Sequence, residues 1–239
     1  MALKHWNGTA FVDPSQYRVW NGSAFVAPSG IYEWDGAQFV KRWPTYQESV
    51  HLFTTTGSSS LPIPSWARYA DVAVIGGGGG GGGRGSFTTN IGKGGNASVW
   101  NASTFDLLGN TATSVLVVVG SGGAAGPNSS PYNGSAGGTS SVALNNDPTN
   151  LFSSVGGSGG QGQTGAPVTP GGSSAGITTS FGITLPGGTG GAGGTGSIAP
   201  TDGEAPGAGG GGAGGGAVNP SRAGGGGAVG RVYVRFRTG

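Results

Sequence analysis

Short apolar runs separated by long glycine-rich stretches are the dominant pattern along this chain of 239 residues. The clearest run is Arg231–Arg237 (RVYVRFR), in which Val232, Val234 and Phe236 alternate with Arg and Tyr. Apolar residues at every second position predict a strand with one buried face. Similar runs predict five more strands: Asp71–Ile75, Ala97–Asn101, Ser114–Val119, Ser140–Leu144 and Leu151–Val155. The expected fold class is therefore mainly β and irregular.

A second pattern repeats near the start of the chain. The segments WNGTAFVDPS, WNGSAFVAPS and WDGAQFVKRW begin at Trp6, Trp20 and Trp34, so they recur with a period of 14 residues. Each contains Asn-Gly or Asp-Gly, which favour two-residue hairpin turns because both turn positions require φ > 0. We therefore predict three similar β-hairpins within residues 1–43.

The predicted hairpins present aromatic faces. With Asn7-Gly8 as the turn, Trp6 lies opposite Thr9 and diagonally across from Phe11 on the same face. The same arrangement gives two further pairs, Trp20 with Phe25 and Trp34 with Phe39. A single hairpin is only marginally stable in water, so we interpret these six aromatic residues as an anchoring interface. The alternative is that the Trp rings stack on sugars.

Residues 44–70 are predicted to connect two domains. Ser49–Thr56 has a strand-like pattern, and Ser58–Ser60 and Pro62–Pro64 are expected to break it. The chain is thus expected to have three parts: repeats over 1–43, a connector over 44–70 and a glycine-rich domain over 71–239.

The glycines carry a period of three. Of the 57 glycines, 51 lie between Gly76 and Gly230, and many recur in threes, as in Gly187–Gly196 (GGTGGAGGTG). Three residues per turn is the period of the polyproline II helix, which has no internal hydrogen bonds. Because buried N–H and C=O groups must be paired, we predict a bundle of polyglycine II helices that hydrogen bond to one another. Glycine is needed where the backbones approach closely.

The same rule predicts which helices of the bundle are buried. A helix that is surrounded on all sides tolerates only glycine, so Gly76–Gly83 and Gly209–Gly216 are expected in the interior. Gly187–Gly196 is expected at the bundle face. Its exposed edge consists of Thr189, Ala192 and Thr195. Because this row is regularly spaced, ice binding is kept as a third possible function.

Composition excludes several classes of protein. Charged residues make up 8% of the chain and the net charge is +2, so nothing indicates binding to nucleic acid or to an anionic membrane. The absence of cysteine removes disulfides and thiolate metal sites. The first 30 residues contain no apolar run that is long enough for a signal peptide or a membrane span. We expect synthesis in a cytoplasm and no membrane insertion.

The stretch YADVAVIGGGGGGGGRG, Tyr69–Gly85, looks at first like a strand followed by a phosphate-binding loop. It matches G-x-G-x-x-G, as any glycine run does. The dinucleotide fingerprint also requires a helix after the third glycine and an acidic residue about 20 positions later. Ser86–Gly92 has no helical period, and the next acidic residue is Asp106. We therefore expect no nucleotide cofactor.

Catalytic and metal-binding patterns are weak as well. The only histidines are His5 and His51, and no cluster of His, Asp and Glu has the spacing of metal ligands. Asp202 and Glu204 are a possible carboxylate pair, but a proline-bounded loop of this kind is typical of a solvated turn. The expectation is a protein that is not an enzyme.

The repeats WNGTAFV and WNGSAFV, followed by ADVAVIGGGGGGGG and GGGGAVGRVYVRFR, resemble glycine-rich minor tail proteins of tailed bacteriophages, especially phages of actinobacteria. The glycine-rich part also resembles the polyglycine-helix adhesin at the tip of some long tail fibres. A looser resemblance is to the glycine-rich extracellular domain of certain receptor tyrosine kinases, against which the absence of cysteine and signal peptide speaks.

The resemblance implies a virion protein of the tail tip or tail fibre, commonly a homotrimer. It implies other phage tail proteins and a host cell-surface glycan or envelope component as partners. Loops between the predicted helices are then expected to contact the host: Arg84–Asn96, Pro127–Ser135, Asn145–Asn150, Ala166–Phe181 and Ser197–Pro206. The candidate receptor-binding residues are Phe87, Tyr132, Asp147 and Phe181, with ordinary packing as the alternative role. A purely structural tail-tip subunit without receptor contact is the alternative function.

Overall fold

The fold is mainly β and irregular, as the sequence predicts. The computed structural model describes residues 5–6, 9, 11–12, 19–26, 30–34, 36–43, 46–165, 167–216 and 218–238. These residues form strands, turns and extended segments, and none of them lies in an α-helix or a 3₁₀-helix. A helix able to cross a membrane is accordingly not found in this part of the chain.

The N-terminal repeats contain three antiparallel strand pairs. The pairs are β1 (His5–Trp6) with β2 (Phe11–Val12), β3 (Val19–Trp20) with β4 (Phe25–Val26), and β5 (Ile31–Trp34) with β6 (Phe39–Trp43). Trp6 lies directly opposite Phe11, Trp20 opposite Phe25, and Trp34 opposite Phe39. The predicted diagonal register, with two-residue turns, is therefore wrong, because four residues connect each pair of strands.

The connection between β3 and β4 explains this register. The Asn21 carboxamide oxygen accepts hydrogen bonds from the backbone N–H groups of Ser23 (3.0 Å) and Ala24 (2.9 Å). The backbone N–H of Asn21 also donates to the Ala24 carbonyl at 3.1 Å. Asn therefore acts as the first residue of a four-residue loop, and Gly22 takes the positive φ of 101°. Asn7, Gly8 and Asp35 lie outside the described residues.

Strands from the whole range of residues 46–238 form a sandwich of two antiparallel sheets. One sheet has the order β10-β9-β16-β7 and the other the order β13-β12-β11-β8. The first sheet comprises β7 (Glu48–Phe53), β9 (Tyr69–Ile75), β10 (Trp100–Asp106) and β16 (Arg231–Arg237). The second comprises β8 (Gly57–Pro62), β11 (Ser114–Val119), β12 (Ser140–Leu144) and β13 (Asp147–Ser154). A short pair, β14 (Ile177–Thr178) and β15 (Thr184–Leu185), is separate.

Alternating apolar residues from both sheets form the sandwich core. Val232, Val234 and Phe236 are fully buried and pack with residues of the second sheet such as Val117 and Val142. The predicted strands Asp71–Ile75 and Arg231–Arg237 lie side by side, because β9 pairs with β16 in antiparallel register. The period of two in the C-terminal run thus produces the buried face that it predicts.

Several strands differ from their predicted extents. Ser58–Ser60 and Pro62, which were expected to break a strand, instead lie in β8, which pairs with β11. This edge strand leaves its serine side chains exposed, so only its backbone has to fit the sheet. Two further strands begin at residues other than the predicted ones. β10 begins at Trp100 instead of Ala97, and β13 begins at Asp147 instead of Leu151. Residues 97–99 belong to the glycine-rich region, where the backbone bonds to other segments.

The glycine array, residues 76–230 without the strands that they contain, continues from the sandwich. In its central segment, residues 76–84, successive backbone N–H groups donate to three neighbouring segments in turn, so that every third residue donates to the same segment. Gly77, Gly80 and Gly83 donate to one neighbouring segment, at residues 138, 135 and 132. The next residues in each turn donate to residues 228, 225 and 222, and the third set to residues 96 and 93. The three neighbours run antiparallel to the centre because the partner numbers fall as the donor numbers rise.

The carbonyl groups of the central segment have three other neighbours. The carbonyl oxygens of residues 77, 80 and 83 accept from residues 157, 160 and 163. Those of residues 78 and 81 accept from 123 and 126, and those of 79 and 82 from 210 and 213. Six described segments therefore surround the central one, and its buried N–H and C=O groups are paired as burial requires.

Close backbone contact explains the glycines at the centre. A Cβ atom added at Gly80 would overlap the carbonyl oxygen of Ala124, and one at Gly78 would overlap that of Ala208. Residues 76–83 are all buried, as predicted, and so are residues 209–214, whereas Gly215 and Gly216 are only half-buried. On segment 187–194 and the residue after it, exposure recurs every third position at Thr189, Ala192 and Thr195.

The molecule has two ends. β9 runs from Tyr69 into the array, and β16 returns to pair Arg237 with Tyr69 and with Glu48. We call the end near these residues the base, formed by loops 64–68, 107–113 and 145–146. The opposite end is the array tip, formed by residues 85–90, 127–132, 163–165, 167–168, 195–198, 215–216 and 218–221. Because the chain enters the sandwich at Glu48, the N-terminal repeats are joined at the base.

Candidate functional site

The array tip holds unusual backbone conformations. Phe87, Tyr132 and Gln163 have φ values of 52°, 60° and 53°, and they are the non-glycine residues with positive φ in the described part of the chain. This left-handed region is uncommon for residues with a side chain, and bulky residues there are outliers. Such strain persists only where the surrounding structure imposes it, and it is concentrated at functional sites.

Hydrogen bonds hold these three residues, and those of Tyr132 and Gln163 join them to the central segment. The Tyr132 carbonyl accepts from Gly83 N–H at 2.7 Å, and Gln163 N–H donates to the Gly83 carbonyl at 3.1 Å. The Gln163 carboxamide oxygen accepts from Gly85 N–H at 2.9 Å. Phe87 N–H donates to the Asn219 carbonyl at 3.0 Å, while its side chain is 74% exposed. A rigid scaffold thus presents an exposed aromatic ring.

A groove lies beside these residues. It has a volume of about 500 Å³ and a lining of apolar, hydroxyl and glycine residues: Thr89, Ile91, Gly165, Pro167, Val168, Gly215 and Gly216. Reciprocal backbone hydrogen bonds between Ile91 and Thr164 hold two of its walls together. These seven wall residues offer apolar surface, a hydroxyl group and backbone, and none of them is an acid, a base or a thiol.

The sequence analysis identified Phe87 and Tyr132 but missed Gln163. Its separation by three from Gly160, together with the glycine period, was the available signal, because it continues the segment that bonds to the centre. Arg84 was missed as well. An arginine placed directly after eight interior glycines had to occupy the end of the buried segment, and its side chain is 0% exposed.

Asp147 lies at the base, far from Phe87 and Tyr132. It begins β13, and its carboxylate accepts a hydrogen bond from the Thr149 hydroxyl at 3.1 Å. It lines a cavity of about 350 Å³ with Asp106 and Asn146. Residues 145–150 are therefore a sandwich turn and the start of a strand, and they do not connect two glycine-rich segments as predicted.

Asp106 in this base cavity is already paired. Arg68 Nε donates to its carboxylate at 2.7 Å, and Arg68 Nη2 donates at 3.0 Å. The hydrogen bond from Arg68 and one from the Leu108 backbone N–H lower the pKa of Asp106. Both side chains are substantially exposed, so this is a solvated ion pair at the surface.

Phe181 packs on the outer face of the first sheet. It lies between β14 and β15, where its ring stacks on Tyr233 with centroids 6.4 Å apart. The Arg235 guanidinium lies over the same ring at 5.4 Å. Phe181 is half-buried in these contacts, which are of the packing kind that was named as its alternative role.

Under Phe181, Asp71 binds two arginines. Its fully buried carboxylate accepts from Arg235 Nη2 at 2.6 Å and from Arg237 Nε at 2.8 Å, and Thr104 donates at 2.6 Å. Burial alone raises the pKa of Asp71, but the hydrogen bonds from Arg237, Thr104 and Arg235 outweigh it and hold the pKa below its usual value. This network of hydrogen bonds and ion pairs stabilises the first sheet.

The N-terminal aromatic residues form close pairs. The ring centroids of Trp20 and Phe25 are 5.3 Å apart, and those of Trp34 and Phe39 are 5.2 Å apart. All four side chains are more than half exposed. The side chains of Trp6 and Phe11 lie outside the described residues. The two described pairs thus present equivalent aromatic surfaces that are largely exposed to solvent.

The described residues include no group of three or more His, Asp and Glu side chains that could hold a metal ion. Asp202, considered above with Glu204 as a carboxylate pair, instead accepts a hydrogen bond from Gly226 N–H at 2.6 Å. The Glu204 backbone N–H donates to the Thr189 carbonyl at 2.9 Å. Both residues therefore contribute to joining neighbouring segments of the array.

Comparison with known families gives one result. A family model described as a glycine-rich domain matches residues 54–237. The match begins near the end of β7 and ends with β16, so it covers most of the sandwich together with the whole glycine array. A comparison with curated proteins finds no match.

Proposed function

The chain belongs to the glycine-rich domain family, and we propose on that premise that it is a non-enzymatic bacteriophage tail protein. In this proposal the protein is part of the virion, at the tail tip or in a tail fibre. The array tip contacts the host cell envelope, and the N-terminal repeats attach the protein to other tail proteins or to further copies of itself. The resemblance of the WNG repeats and glycine runs to minor tail proteins supports this assignment.

The proposal includes a bundle of polyglycine II helices. The rotation of hydrogen bonds every three residues around segment 76–84 supports it, because three residues per turn is the period of that helix. The helices would form a stiff platform that resists proteases, since a protease needs an accessible, flexible backbone. Stiffness matters at a virion tip because loops fixed before binding lose less entropy when they bind.

The observation that carries the proposal is the polarity of the molecule. The strained residues Phe87, Tyr132 and Gln163 lie at one end. The chain that leads to the exposed aromatic pairs joins the other end at Glu48. An attachment region at one end and rigid, strained loops at the other are suited to a protein that is anchored at its base and binds with its tip.

The N-terminal pairs have the chemistry of an assembly interface. Aromatic residues are enriched at interfaces because they bury much apolar area with little loss of conformational entropy. The paired rings of Trp20 with Phe25 and Trp34 with Phe39 would pack against equivalent pairs in a homotrimer. Sedimentation of the purified chain tests this: trimer mass is expected, and monomer mass for a variant with Trp20 and Trp34 replaced by Ser.

Cell binding tests the role of the array tip. Fluorescently labelled protein is mixed with a panel of actinobacterial cells, and bound fluorescence is measured by flow cytometry. We expect saturable binding to at least one strain. Phe87→Ser is expected to weaken this binding at least about tenfold, as is typical for an aromatic residue at the centre of an interface.

Leu108→Ser is the matched control, because Leu108 is 69% exposed at the base and Phe87 is 74% exposed at the tip. This variant should bind cells like the unmodified protein. If Phe87→Ser binds as well as Leu108→Ser, the tip is not the contact surface. If no strain is bound while the protein still incorporates into virions, the chain is a purely structural tail-tip subunit.

A further inference from the structure

Two arginines lie side by side at the array tip. Arg84 ends the central segment and Arg222 begins the last one, and they form an isolated antiparallel bridge. Arg84 N–H donates to the Arg222 carbonyl at 2.8 Å, and Arg222 N–H donates to the Arg84 carbonyl at 3.0 Å. Directly opposite residues in such a bridge project on the same face, where like charges destabilise each other.

Each guanidinium has donors without partners. The Arg84 side chain is 0% exposed, and its Nη1 donates to the Gly85 carbonyl at 3.0 Å. Arg84 Nε and Nη2 have no partner among the described residues. Arg222 Nη2 donates to the Ser197 carbonyl at 2.9 Å, but its Nε is buried and also lacks a described partner. A buried donor without a partner is costly, especially on a charged group.

The free donors of Arg84 have a specific shape. Nε and Nη2 lie on one edge of the planar guanidinium, and this edge matches the two oxygens of a carboxylate or phosphate in a bidentate pair. Among the described residues no ion pair joins Arg84 or Arg222 to an acid, whereas Arg68, Arg235 and Arg237 all bind aspartates. Burial and the charge of Arg222 lower the pKa of Arg84.

The loop after Arg84 lies at the surface of the array tip. Ser86 and Phe87, which follow Arg84, are both exposed. The Ser86 hydroxyl accepts a hydrogen bond from Ser221 N–H at 2.9 Å, so it joins the residues next to the two arginines. Arg222 is itself only half-buried, so the pair lies close to the surface of the tip.

We propose that Arg84 and Arg222 bind an oxyanion, either a phosphate or a carboxylate group, at the array tip. The anion accepts hydrogen bonds from Arg84 Nε and Nη2 and from Arg222 Nε, and it neutralises the two adjacent charges. This inference rests on the proposed function for one point only: the oxyanion is a charged group of the envelope ligand. Binding of the anion itself is independent of that function.

Titration with small anions tests the site. Thermal unfolding of the full chain is followed at increasing sodium phosphate or sodium acetate, at constant ionic strength adjusted with sodium chloride. A ligand that binds only the folded state raises Tm with its concentration. We expect one of the two anions to raise Tm saturably. The more effective anion identifies whether phosphate or carboxylate is recognised.

Arg84→Met and Arg222→Gln should each weaken this anion binding at least about tenfold, because hydrogen bonds to charged groups are lost. Arg84→Lys keeps the charge but loses the planar fork, so it should weaken binding as well. Lys93→Gln is the control: it removes one positive charge from the same array at a half-buried side chain. It should bind the anion like the unmodified protein.

Two results would overturn the inference. One is the absence of a saturable Tm increase with either anion. The other is an increase of equal size in Arg84→Met, Arg222→Gln and Lys93→Gln, which would indicate a general salt effect and a merely structural role for the pair. Cell binding separates the two proposals: anion binding without any cell binding contradicts the proposed function alone. Unchanged cell binding by Arg222→Gln would show that the envelope ligand does not use this pair.

Discussion

The sandwich and the glycine array both have a buried interior, but side chains fill the first and backbone fills the second. In the sandwich, side chains such as Val117, Val234 and Phe236 fill the space between two sheets. In the array, the backbone itself fills the interior, and its N–H and C=O groups bond to neighbouring segments. The sandwich follows the usual rule that apolar area removed from water drives folding. The array depends on contact between backbones and on complete hydrogen bonding.

This difference teaches that glycine content alone does not indicate a linker. Ordering glycine costs more conformational entropy than ordering any other residue, and a flexible linker leaves that entropy in place. Here many segments of the array are continuous with a strand, as residues 76–84 are with β9. The sandwich therefore fixes where the segments begin, and the array extends the same chain order toward the tip.

The two regions should be sensitive to opposite changes in side-chain volume, the array to added volume and the sandwich to lost volume. Gly80→Val should have the largest effect, a loss of more than about 4 kcal/mol or failure to fold. Its new Cβ would overlap the Ala124 carbonyl, which is backbone and cannot rotate away. Chemical denaturation measures the change. Gly165→Ala is the control, because its added Cβ meets no atom within 4 Å, and an equal loss for both variants would contradict the packing described for the centre.

The sandwich should be sensitive to lost volume instead. Phe236 is fully buried in the core, so Phe236→Ala should reduce the free energy of unfolding by about 4 kcal/mol through lost burial and a residual cavity. Val118→Ala, on the exposed side of β11, should cost less than about 1 kcal/mol. Denaturant titration compares them. Similar values would mean that the two sheets do not pack as described.

Acid should weaken the sandwich through Asp71. Its pKa is lowered in the folded state, so its contribution is present above the unfolded value of about 3.9 and is lost as the pH falls through the lower folded value. Asp71→Asn leaves Arg235 and Arg237 without their carboxylate and should cost about 3 kcal/mol at pH 7. When thermal unfolding is measured from pH 7 down to pH 2, the difference in Tm between the unmodified protein and Asp71→Asn should become smaller. A difference that stays constant with pH would exclude the ion network as its cause.

The smallest effect is expected at the exposed edge of the array. Thr189 is exposed on segment 187–194, so Thr189→Val should change the free energy of unfolding by less than about 0.5 kcal/mol. The comparison with Gly80→Val is the test, since both substitutions introduce valine into a glycine-rich segment. A large loss at Thr189 would mean that this edge is covered by something other than solvent.

Much of the fold is predictable from two periods in the sequence. The period of two in Arg231–Arg237 predicts β16 and its buried face, and the period of three predicts that residues 76–83 are interior. β8 was missed because exposed serines in an edge strand leave no apolar pattern. The register predicted for the N-terminal strand pairs was wrong. Asn21 bonds to the backbone of its own loop, and this makes the connection longer than the two-residue turn that was predicted.

The tip was only partly predictable. Phe87 stood out as a large aromatic residue within a glycine-rich stretch, whereas the only signal for Gln163 and Arg84 was their position relative to the glycines. Their positions depend on which segments become neighbours, as when Arg84 meets Arg222, which lies 138 positions later in the chain. Such long-range pairing follows from the three-dimensional order of the segments. A glycine-rich sequence contains little side-chain information to specify that order.

Native-state hydrogen exchange is the most direct measurement of the central claim, that the glycine array is an ordered structure held by its backbone. The amides of residues 77–83 all donate to neighbouring segments. They should therefore exchange with the same opening free energy as the Val72 and Val234 amides in the sandwich, because both regions open only when the whole domain unfolds. Exchange of residues 77–83 within seconds, while the sandwich amides remain protected, would contradict the account.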